Sequence, residues 1–226
     1  MAINLKSTLG VSANGVKILV YGPAGAGKTS LITTLPNPII LSAEAGLLSI
    51  AQDDVPYIDV TSMDTLREAY TWLTESDEAK KFDSVALDSI SEIGEVVLNY
   101  EKKIAKDPRQ AYGALQEQMT DMIRSFRDLP GKHVYFTAKC EKSQDEQGRL
   151  LYAPGMPGSK LAQQLPYFFD EVFALRLERD EQGIVQRALM TNSDGLWQAK
   201  DRSGRLDAWE QPHLGEIIAK MESSRA

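Results

Sequence analysis

The segment Gly22-Pro23-Ala24-Gly25-Ala26-Gly27-Lys28-Thr29 matches G-x-x-x-x-G-K-[ST], the pattern of a phosphate-binding P-loop. Glycines in such a loop let successive backbone N–H groups turn inward around a chain of phosphates. The lysine reaches the outer phosphates, and the hydroxyl of the last residue holds Mg²⁺. We therefore predict that these residues and the following Ser30 bind a nucleotide, with Lys28 also serving catalysis and Thr29 binding the metal.

The residues on both sides of this segment have the local structure that a P-loop requires. The apolar run 16–21 precedes it and predicts a short buried strand. Residues 30–35 follow it and predict a helix, which Pro36 ends. A helix that begins at this point adds the partial positive charge of its N-terminus to the loop. The context therefore favours a nucleotide site over a glycine-rich turn that matches the pattern by chance.

Length and composition describe an ordinary globular protein. The chain has 226 residues, 42% of them hydrophobic and 25% charged, which suits one sizeable domain spanning 1–226. The net charge of −7 does not favour nucleic-acid binding over the whole surface, so such binding needs a local basic patch. The single Cys140 excludes an internal disulfide. No apolar run has the length of a membrane span and no signal peptide is recognisable, so we expect a cytoplasmic protein.

A second nucleotide signal lies in residues 82–88. This apolar segment predicts a strand that ends in Asp88, as a Walker B strand does. The carboxylate at that position helps to hold Mg²⁺. Ser89 follows Asp88, at the position where many ATPases carry a catalytic glutamate. A catalytic base for ATP hydrolysis must therefore come from elsewhere in the chain.

Strands alternate with helices as far as residue 138. The predicted strands are 38–44, 55–60 and 133–138, and the predicted helices are 64–77, 90–106 and 109–128. This alternation predicts an α/β fold with a mainly parallel central sheet that is flanked by helices. Two further strands, 170–177 and 184–191 with a turn at 180–183, predict an antiparallel hairpin toward the C-terminus, followed by a closing helix at 213–222. Residues 1–15 form an N-terminal arm in this interpretation.

Residues 139–165 are the least regular part of the chain. Gln147-Gly148 predicts a hairpin turn, while Pro154, Gly155, Pro157 and Gly158 argue against regular structure around them. The segment has a charge of +1 in a chain of −7, from four basic and three acidic residues. We predict a mobile loop that contacts a ligand, against the simpler interpretation of a solvated hairpin and loop.

The order of these parts resembles the RecA-like branch of P-loop ATPases over roughly residues 16–210. The resemblance rests on four segments, namely 22–29, Leu41-Ser42-Ala43-Glu44-Ala45-Gly46, 82–88 and Ala199-Lys200-Asp201-Arg202. Within that branch the chain is most similar to the short phage proteins of the Sak group, which are nearly bare RecA cores and act in single-strand annealing. The resemblance implies a RecA-like P-loop NTPase core that binds ATP and Mg²⁺.

The resemblance also implies roles for residues whose spacing alone predicts none. Glu44 occupies the position of the catalytic glutamate, which orients and activates the attacking water. Lys200 and Arg202 match the bases that reach the γ-phosphate in a neighbouring subunit, where Arg202 acts as an in-trans finger. Such a finger implies a homo-oligomer, either a ring or a filament with head-to-tail contacts.

The same resemblance implies a DNA-binding function. The 139–165 segment lies where the family has a DNA-binding loop, so Lys142, Arg149 and Lys160 are candidates for phosphate contacts and Tyr152 for stacking on a base. The implied partner is single-stranded DNA, with a single-strand DNA-binding protein as a further one, in the cytoplasm of a bacterial host. The strand that ends near Thr137 matches the position of a γ-phosphate sensor, but the usual glutamine or histidine is missing there.

Two alternatives remain open from the sequence. The P-loop also resembles that of small-molecule and nucleotide kinases, but such enzymes usually have an arginine-rich lid, and the candidate lid contains Arg149 alone. In the second alternative the chain binds ATP as an assembly switch without hydrolysing it. A GTPase is disfavoured because no N-K-x-D motif is present.

Overall fold

A computed structural model gives the fold for residues 14–44, 46–179 and 182–223. Most of the predicted arm 1–15, Ala45 and the start of the turn predicted at 180–183 lie outside these described residues. The strands are β1 Lys17–Gly22, β2 Pro38–Ser42, β3 Tyr57–Asp59, β4 Ser84–Asp88, β5 His133–Gln144, β6 Leu150–Gly155, β7 Glu171–Arg179, β8 Val185–Met190, β9 Lys200–Asp201 and β10 Trp209–Glu210. The α-helices are α1 Met63–Glu75, α2 Ile90–Ile104, α3 Pro108–Arg127, α4 Ser159–Gln164 and α5 Leu214–Glu222.

The strands form one mixed sheet in the order β10-β8-β7-β1-β5-β4-β2-β3, with β6 paired to β5 and β9 paired to β7. The six strands from β7 to β3 in this order run parallel, which confirms the predicted α/β fold. Strand β5 lies between β1, which leads into the P-loop, and β4, which ends in Asp88. Because parallel strands end at the same edge of a sheet, Gly22, Ser42 and Asp88 meet at this carboxyl edge.

Hydrophobic layers cover both faces of the sheet. Along β1, Leu19 and Tyr21 point into the layer under α1, α2 and α3, while Ile18 and Val20 point into the layer under α5. This alternation follows from the two-residue period of a strand, and burial on both faces explains why β1 is apolar throughout. The two layers fix the position of the P-loop at the end of β1.

The segment after the P-loop differs from the predicted helix. Residues Ser30–Thr34 form a 3-10 helix of five residues. Two threonine hydroxyls donate to main-chain carbonyls within it, Thr33 to Ser30 at 2.9 Å and Thr34 to Leu31 at 2.7 Å. Side-chain hydrogen bonds of this kind compete with the α-helical pattern, and Pro36 prevents extension. The N-terminal charge that an α-helix at 30–35 would add to the loop is therefore supplied by only one short 3-10 helix.

The segment predicted to be an irregular loop, 139–165, is largely regular. Strand β5 continues beyond the central sheet to Gln144 and pairs antiparallel with β6, and the chain then forms α4. The turn predicted at Gln147-Gly148 is confirmed, since the N–H of Gly148 donates to the carbonyl of Asp145 at 3.0 Å. The expectation that Pro154 and Gly155 break regular structure was wrong. Both lie in β6, which forms its ladder with β5 and is bridged on its other side by Trp197 at Tyr152. A strand tolerates a proline where the missing N–H is not needed for the ladder.

The C-terminal elements agree with the sequence prediction. Strands β7 and β8 form the expected antiparallel pair, which extends the sheet beside β1. Helix α5 packs beside the 3-10 helix, where the hydroxyl of Thr34 accepts a 2.9 Å hydrogen bond from the N–H of Leu214. A side chain at Gly215 would place its Cβ 2.8 Å from the carbonyl oxygen of Thr34. The close approach of α5 therefore requires glycine at this position.

Candidate functional site

The P-loop is built by glycines at two positions that accept no other residue easily. At Gly22 a Cβ atom would lie 2.7 Å from the carbonyl oxygen of Leu175 in β7. At Gly27 the backbone φ is +104°, in the left-handed region that favours glycine. The N–H groups of Gly25, Gly27 and Lys28 have no hydrogen-bond partner within the part of the chain that the structure describes. These donors are therefore available to an anion such as a phosphate group.

Lys28 folds back over the loop that precedes it. Its Nζ donates to the carbonyl oxygens of Gly22 at 3.0 Å and Pro23 at 3.1 Å. Burial lowers the pKa of the Lys28 amine, while the nearby carboxylates of Glu44 and Asp88 act in the opposite direction. The amine thus lies inside the loop, within the electrostatic reach of both predicted acidic site residues.

Asp88 lies at the centre of the site and is 2% exposed. Its Oδ2 accepts a 2.7 Å hydrogen bond from the hydroxyl of Thr29, and its Oδ1 accepts one from the hydroxyl of Thr137 on β5. The Asp88 carboxylate at the end of β4 therefore contacts both the P-loop, through Thr29, and the neighbouring strand β5, through Thr137. Thr137 lies on the strand for which the usual γ-phosphate sensor is missing.

The donors at this position fit Mg²⁺. This ion prefers oxygen ligands, keeps several waters and usually takes only one or two carboxylates together with phosphate oxygens of a substrate. Thr29 and Asp88 supply one hydroxyl and one carboxylate that already touch each other. Across the described residues, no group of three or more histidine, cysteine, aspartate or glutamate side chains could hold a metal ion. A cation at this edge would therefore be shared between the protein and a nucleotide.

Glu44 lies just beyond the end of β2 and is held against the end of β4. The hydroxyl of Ser89 donates to Oε1 of Glu44, and the N–H groups of Ala43 and Glu44 donate to the carbonyl of Asp88 at 2.8 and 3.3 Å. Ser89 also caps α2, since its hydroxyl accepts from the N–H of Glu92. Glu44 is thus held next to Asp88, the predicted metal ligand, and Ser89 contributes to that position.

Two residues of β5 support the site, and of these the resemblance had marked only the position of Thr137. The hydroxyl of the fully buried Tyr135 donates to the carbonyl of Lys28 at 2.9 Å, which fixes the P-loop from below. Thr137 binds Asp88, as described above. In the sequence, Tyr135 and Thr137 stand out as hydroxyl-bearing residues within an apolar strand. A buried hydroxyl needs a hydrogen-bond partner, so such residues are expected to contact polar groups.

Lys200 and Arg202 do not lie at the P-loop of their own chain. Strand β9 pairs with the first residues of β7, so both lie toward the end of the sheet opposite the P-loop. The Nζ of Lys200 donates to the carbonyls of Pro166 and Phe169 at 2.6 and 2.5 Å, and burial lowers its pKa. Arg202 forms a 2.7 Å ion pair with Asp170, and its side chain is 57% exposed. Of the two, Arg202 is the one that can reach another molecule.

The four residues predicted to bind DNA occupy different settings on the hairpin and α4. Lys142 and Tyr152 face each other across β5 and β6, with the Lys142 amine 5.6 Å from the ring centre. The other ring contact of Tyr152 is with Trp197, stacked at 4.1 Å between centroids. Arg149 lies in the turn between β5 and β6 and forms a 2.6 Å ion pair with Asp145 there. Lys160 is exposed on α4.

Comparison with known proteins identifies the family of the chain. A family model described as AAA domain matches residues 14–203, which is most of the chain. A search of curated proteins found no match. Among the described residues, no helix combines the length and the apolar character that crossing a membrane demands. The match covers the P-loop, Glu44, Asp88 and the segment that contains Lys200 and Arg202, and the chain therefore belongs to the AAA domain family of P-loop ATPases.

Proposed function

We propose that this chain is an Mg²⁺-dependent ATPase of RecA-like type that works on single-stranded DNA. The observation that carries the ATPase part is the Asp88 carboxylate, which contacts both Thr29 and Thr137 beside Glu44. The free N–H groups of the loop hold the phosphates, and Lys28 moves from the loop carbonyls to the outer phosphates. Thr29 and Asp88 hold Mg²⁺, which supplies charge neutralisation on the phosphate oxygens when it is bound.

In this proposal Glu44 is the residue that activates water. Ser89 donates to Oε1 of Glu44, so Oε2 can accept the proton of an attacking water. The main-chain hydrogen bonds of Ala43 and Glu44 to Asp88 keep the carboxylate at the same strand edge as the metal ligands. Thr137 takes the place of a phosphate sensor, because its hydroxyl couples β5 to the carboxylate that holds the metal.

The position of Arg202 supports assembly of several copies. A finger that lies away from the P-loop of its own chain serves only the P-loop of a neighbour, which requires head-to-tail contacts in a ring or a filament. The ion pair with Asp170 is surface-exposed and weak, so the guanidinium is free to exchange that partner for a phosphate. Lys200, with its two carbonyl contacts, holds the loop that presents Arg202.

The proposed DNA contact is the β5–β6 hairpin with α4. Its strand β5 is continuous with the central strand that carries Thr137, so a ligand on the hairpin acts on the same rigid element as the nucleotide. Lys142, Arg149 and Lys160 supply cations, and Tyr152 supplies an aromatic ring. We further propose a role in annealing or strand pairing during phage-type recombination, with a single-strand DNA-binding protein as a partner.

The test is the rate of ATP hydrolysis with and without single-stranded DNA, at low salt and with Mg²⁺. We expect stimulation by DNA, no nucleotide binding by Lys28→Ala, and a smaller salt dependence of DNA binding when Lys142, Arg149 and Lys160 are changed together to alanine. An unchanged salt dependence would place the DNA site elsewhere. Transfer of phosphate to a small acceptor, without stimulation by DNA, would favour a kinase instead. ATP binding without any turnover would favour an assembly switch.

A further inference from the structure

Arg187 contacts the P-loop from a part of the chain that no motif marks. It lies on β8, where it pairs with Leu177 of β7, two strands away from the loop. Its Nε donates to the carbonyl oxygen of Ala26 at 2.9 Å. A Cβ at Gly27 would lie 3.2 Å from the same Nε and 3.4 Å from Cδ. The guanidinium therefore lies across the Ala26–Gly27 peptide, in space that the glycine leaves open.

Arg187 has no carboxylate partner among the described residues, in contrast to Arg176 on the same hairpin. Arg176 forms ion pairs with Glu178 and Asp194, at 2.6 and 3.4 Å. Arg187 has one hydrogen bond, through Nε, and its two terminal amino groups have no partner in residues 14–44, 46–179 and 182–223. The residue is nevertheless exposed to solvent, so this arrangement costs little in the absence of an anion.

The chemistry of the contact indicates a phosphate. A guanidinium has five N–H donors in a planar fork that matches two phosphate oxygens at once. The bond to Ala26 uses the Nε–H of that fork, and the guanidinium carbon lies 3.9 Å from the position of a Cβ at Gly27, whose N–H is one of the free donors of the loop. A fixed cation next to such donors adds to their attraction for an anion, because charge-assisted hydrogen bonds are stronger than neutral ones.

We propose that Arg187 is a nucleotide-binding residue that contacts the phosphate chain in the P-loop of its own chain. This inference rests on the proposed nucleotide site and adds a contact to it. Arg187 contacts the loop at Ala26, whereas the Lys28 amine contacts the carbonyls of Gly22 and Pro23, so the two residues supply two separate cations to the phosphates. Arg202 of a neighbouring copy remains the cation that acts across the subunit contact.

The test separates the charge of Arg187 from its bond to Ala26. In Arg187→Gln the side-chain amide keeps an N–H donor for the carbonyl, but the positive charge is gone. The matched control is Arg179→Gln on the same hairpin, where the arginine binds the carbonyl of Gly183 at 3.1 Å. The measurement is the dissociation constant of a fluorescent ATP analogue and of inorganic triphosphate, at two salt concentrations, together with the melting temperature.

We expect Arg187→Gln to weaken both ligands about 10-fold or more, since hydrogen bonds to charged groups are worth at least that much. Its salt dependence should be smaller, its melting temperature unchanged, and Arg179→Gln should bind as the unmodified chain does. Wild-type affinity in Arg187→Gln would overturn the inference, and the contact of Arg187 with Ala26 would then be only structural. If Lys28→Ala also bound normally, the nucleotide site itself would be wrong, so the two failures are distinguishable.

A second measurement needs no variant. Phenylglyoxal modifies accessible arginines, and peptide mass spectrometry identifies the modified positions. We expect ATP to protect Arg187 from modification while Arg179 is modified at the same rate with and without ATP. Equal modification of Arg187 in both conditions would contradict a phosphate contact even if the glutamine variant failed to fold.

Discussion

The hydroxyl of Thr29 donates a 2.7 Å hydrogen bond to Oδ2 of Asp88, although the two residues are 59 positions apart in the chain. This contact joins the P-loop to the end of β4 across the intervening strand β5. It places the two oxygen donors that a shared Mg²⁺ needs at one point of the sheet edge. The contact therefore connects the nucleotide motif with the proposed metal site.

Thr29→Ala removes one of these donors and should reduce Mg²⁺-dependent ATP hydrolysis by at least about 10-fold. Thr29→Ser, which keeps the hydroxyl, should retain most of the activity. The measurement is the hydrolysis rate as a function of Mg²⁺ concentration. Thr33→Ala is the control, because that exposed hydroxyl donates to the carbonyl of Ser30 and does not contact Asp88. A wild-type Mg²⁺ dependence in Thr29→Ala would argue against this metal site.

Glu44→Gln should preserve ATP binding and lower the turnover rate by about 10²- to 10⁴-fold, the usual contribution of a positioned general base. Ser89→Ala should have a smaller effect on turnover, because it only loosens Glu44. Single-turnover hydrolysis and equilibrium ATP binding would measure the two quantities separately. Glu68→Gln, an exposed glutamate on α1, serves as the control. Unchanged turnover in Glu44→Gln would support the switch interpretation instead.

Arg202→Ala should bind ATP normally and hydrolyse it slowly if, as proposed, Arg202 acts on the phosphate bound to a neighbouring copy. Mixing equal amounts of Arg202→Ala and Glu44→Gln should restore part of the activity, because some mixed contacts combine an intact Glu44 with an intact Arg202. Arg67→Ala is the control, since it also removes an arginine from an exposed ion pair. If mixing restored no activity, the in-trans geometry would be wrong.

Folding stability should depend on pH through Glu171, which supports the loop that carries Arg202. Glu171 is 1% exposed, and burial, with repulsion from Asp201, raises the pKa of its carboxyl from 4.5 to about 8. The Oε1 of Glu171 accepts from the N–H of Ser203, while its buried Oε2 has no hydrogen-bond partner among the described residues. A proton on the Glu171 carboxyl is consistent with both its burial and its interaction with the Asp201 carboxylate.

The sign of the effect follows from proton binding. Between pH 4.5 and about pH 8 the folded chain keeps the Glu171 proton while the unfolded chain has lost it. The contribution of this group to the free energy of unfolding therefore falls as pH rises through that range. Glu171→Gln, which cannot ionise, should show a smaller loss of stability between about pH 6 and about pH 8.5 in urea unfolding. An identical pH dependence in both chains would assign the effect to other groups.

The sequence predicted correctly most of those features that depend on residues close together in the chain. The P-loop spacing, the apolar runs and the alternation of strands and helices predicted the α/β fold, the parallel sheet and the C-terminal hairpin, because each depends on residues that are close in the chain. The acids at the ends of β2 and β4 were recognisable for the same reason. Parallel strands end at one edge of a sheet, and in the structure this brings the end of β2, which Glu44 follows, beside Asp88.

Local patterns were less reliable where side chains compete with the backbone or where a strand lies at an edge. The helix expected after the P-loop is a short 3-10 helix because threonine hydroxyls bind its carbonyls. The loop expected at 139–165 is mainly a hairpin because Pro154 lies where no ladder hydrogen bond is lost. Both differences depend on hydrogen bonds that residue type alone does not specify.

The tertiary structure alone determined which distant residues complete the site. Tyr135 under the P-loop, Thr137 on the Asp88 carboxylate and Arg187 across Ala26 come from strands far along the chain from the motif they contact. Their positions follow from strand order and register, which place β5 and the β7–β8 pair on the two sides of β1. A sequence motif specifies the chemistry of a loop, whereas the side chains that surround it are selected by the packing of the sheet.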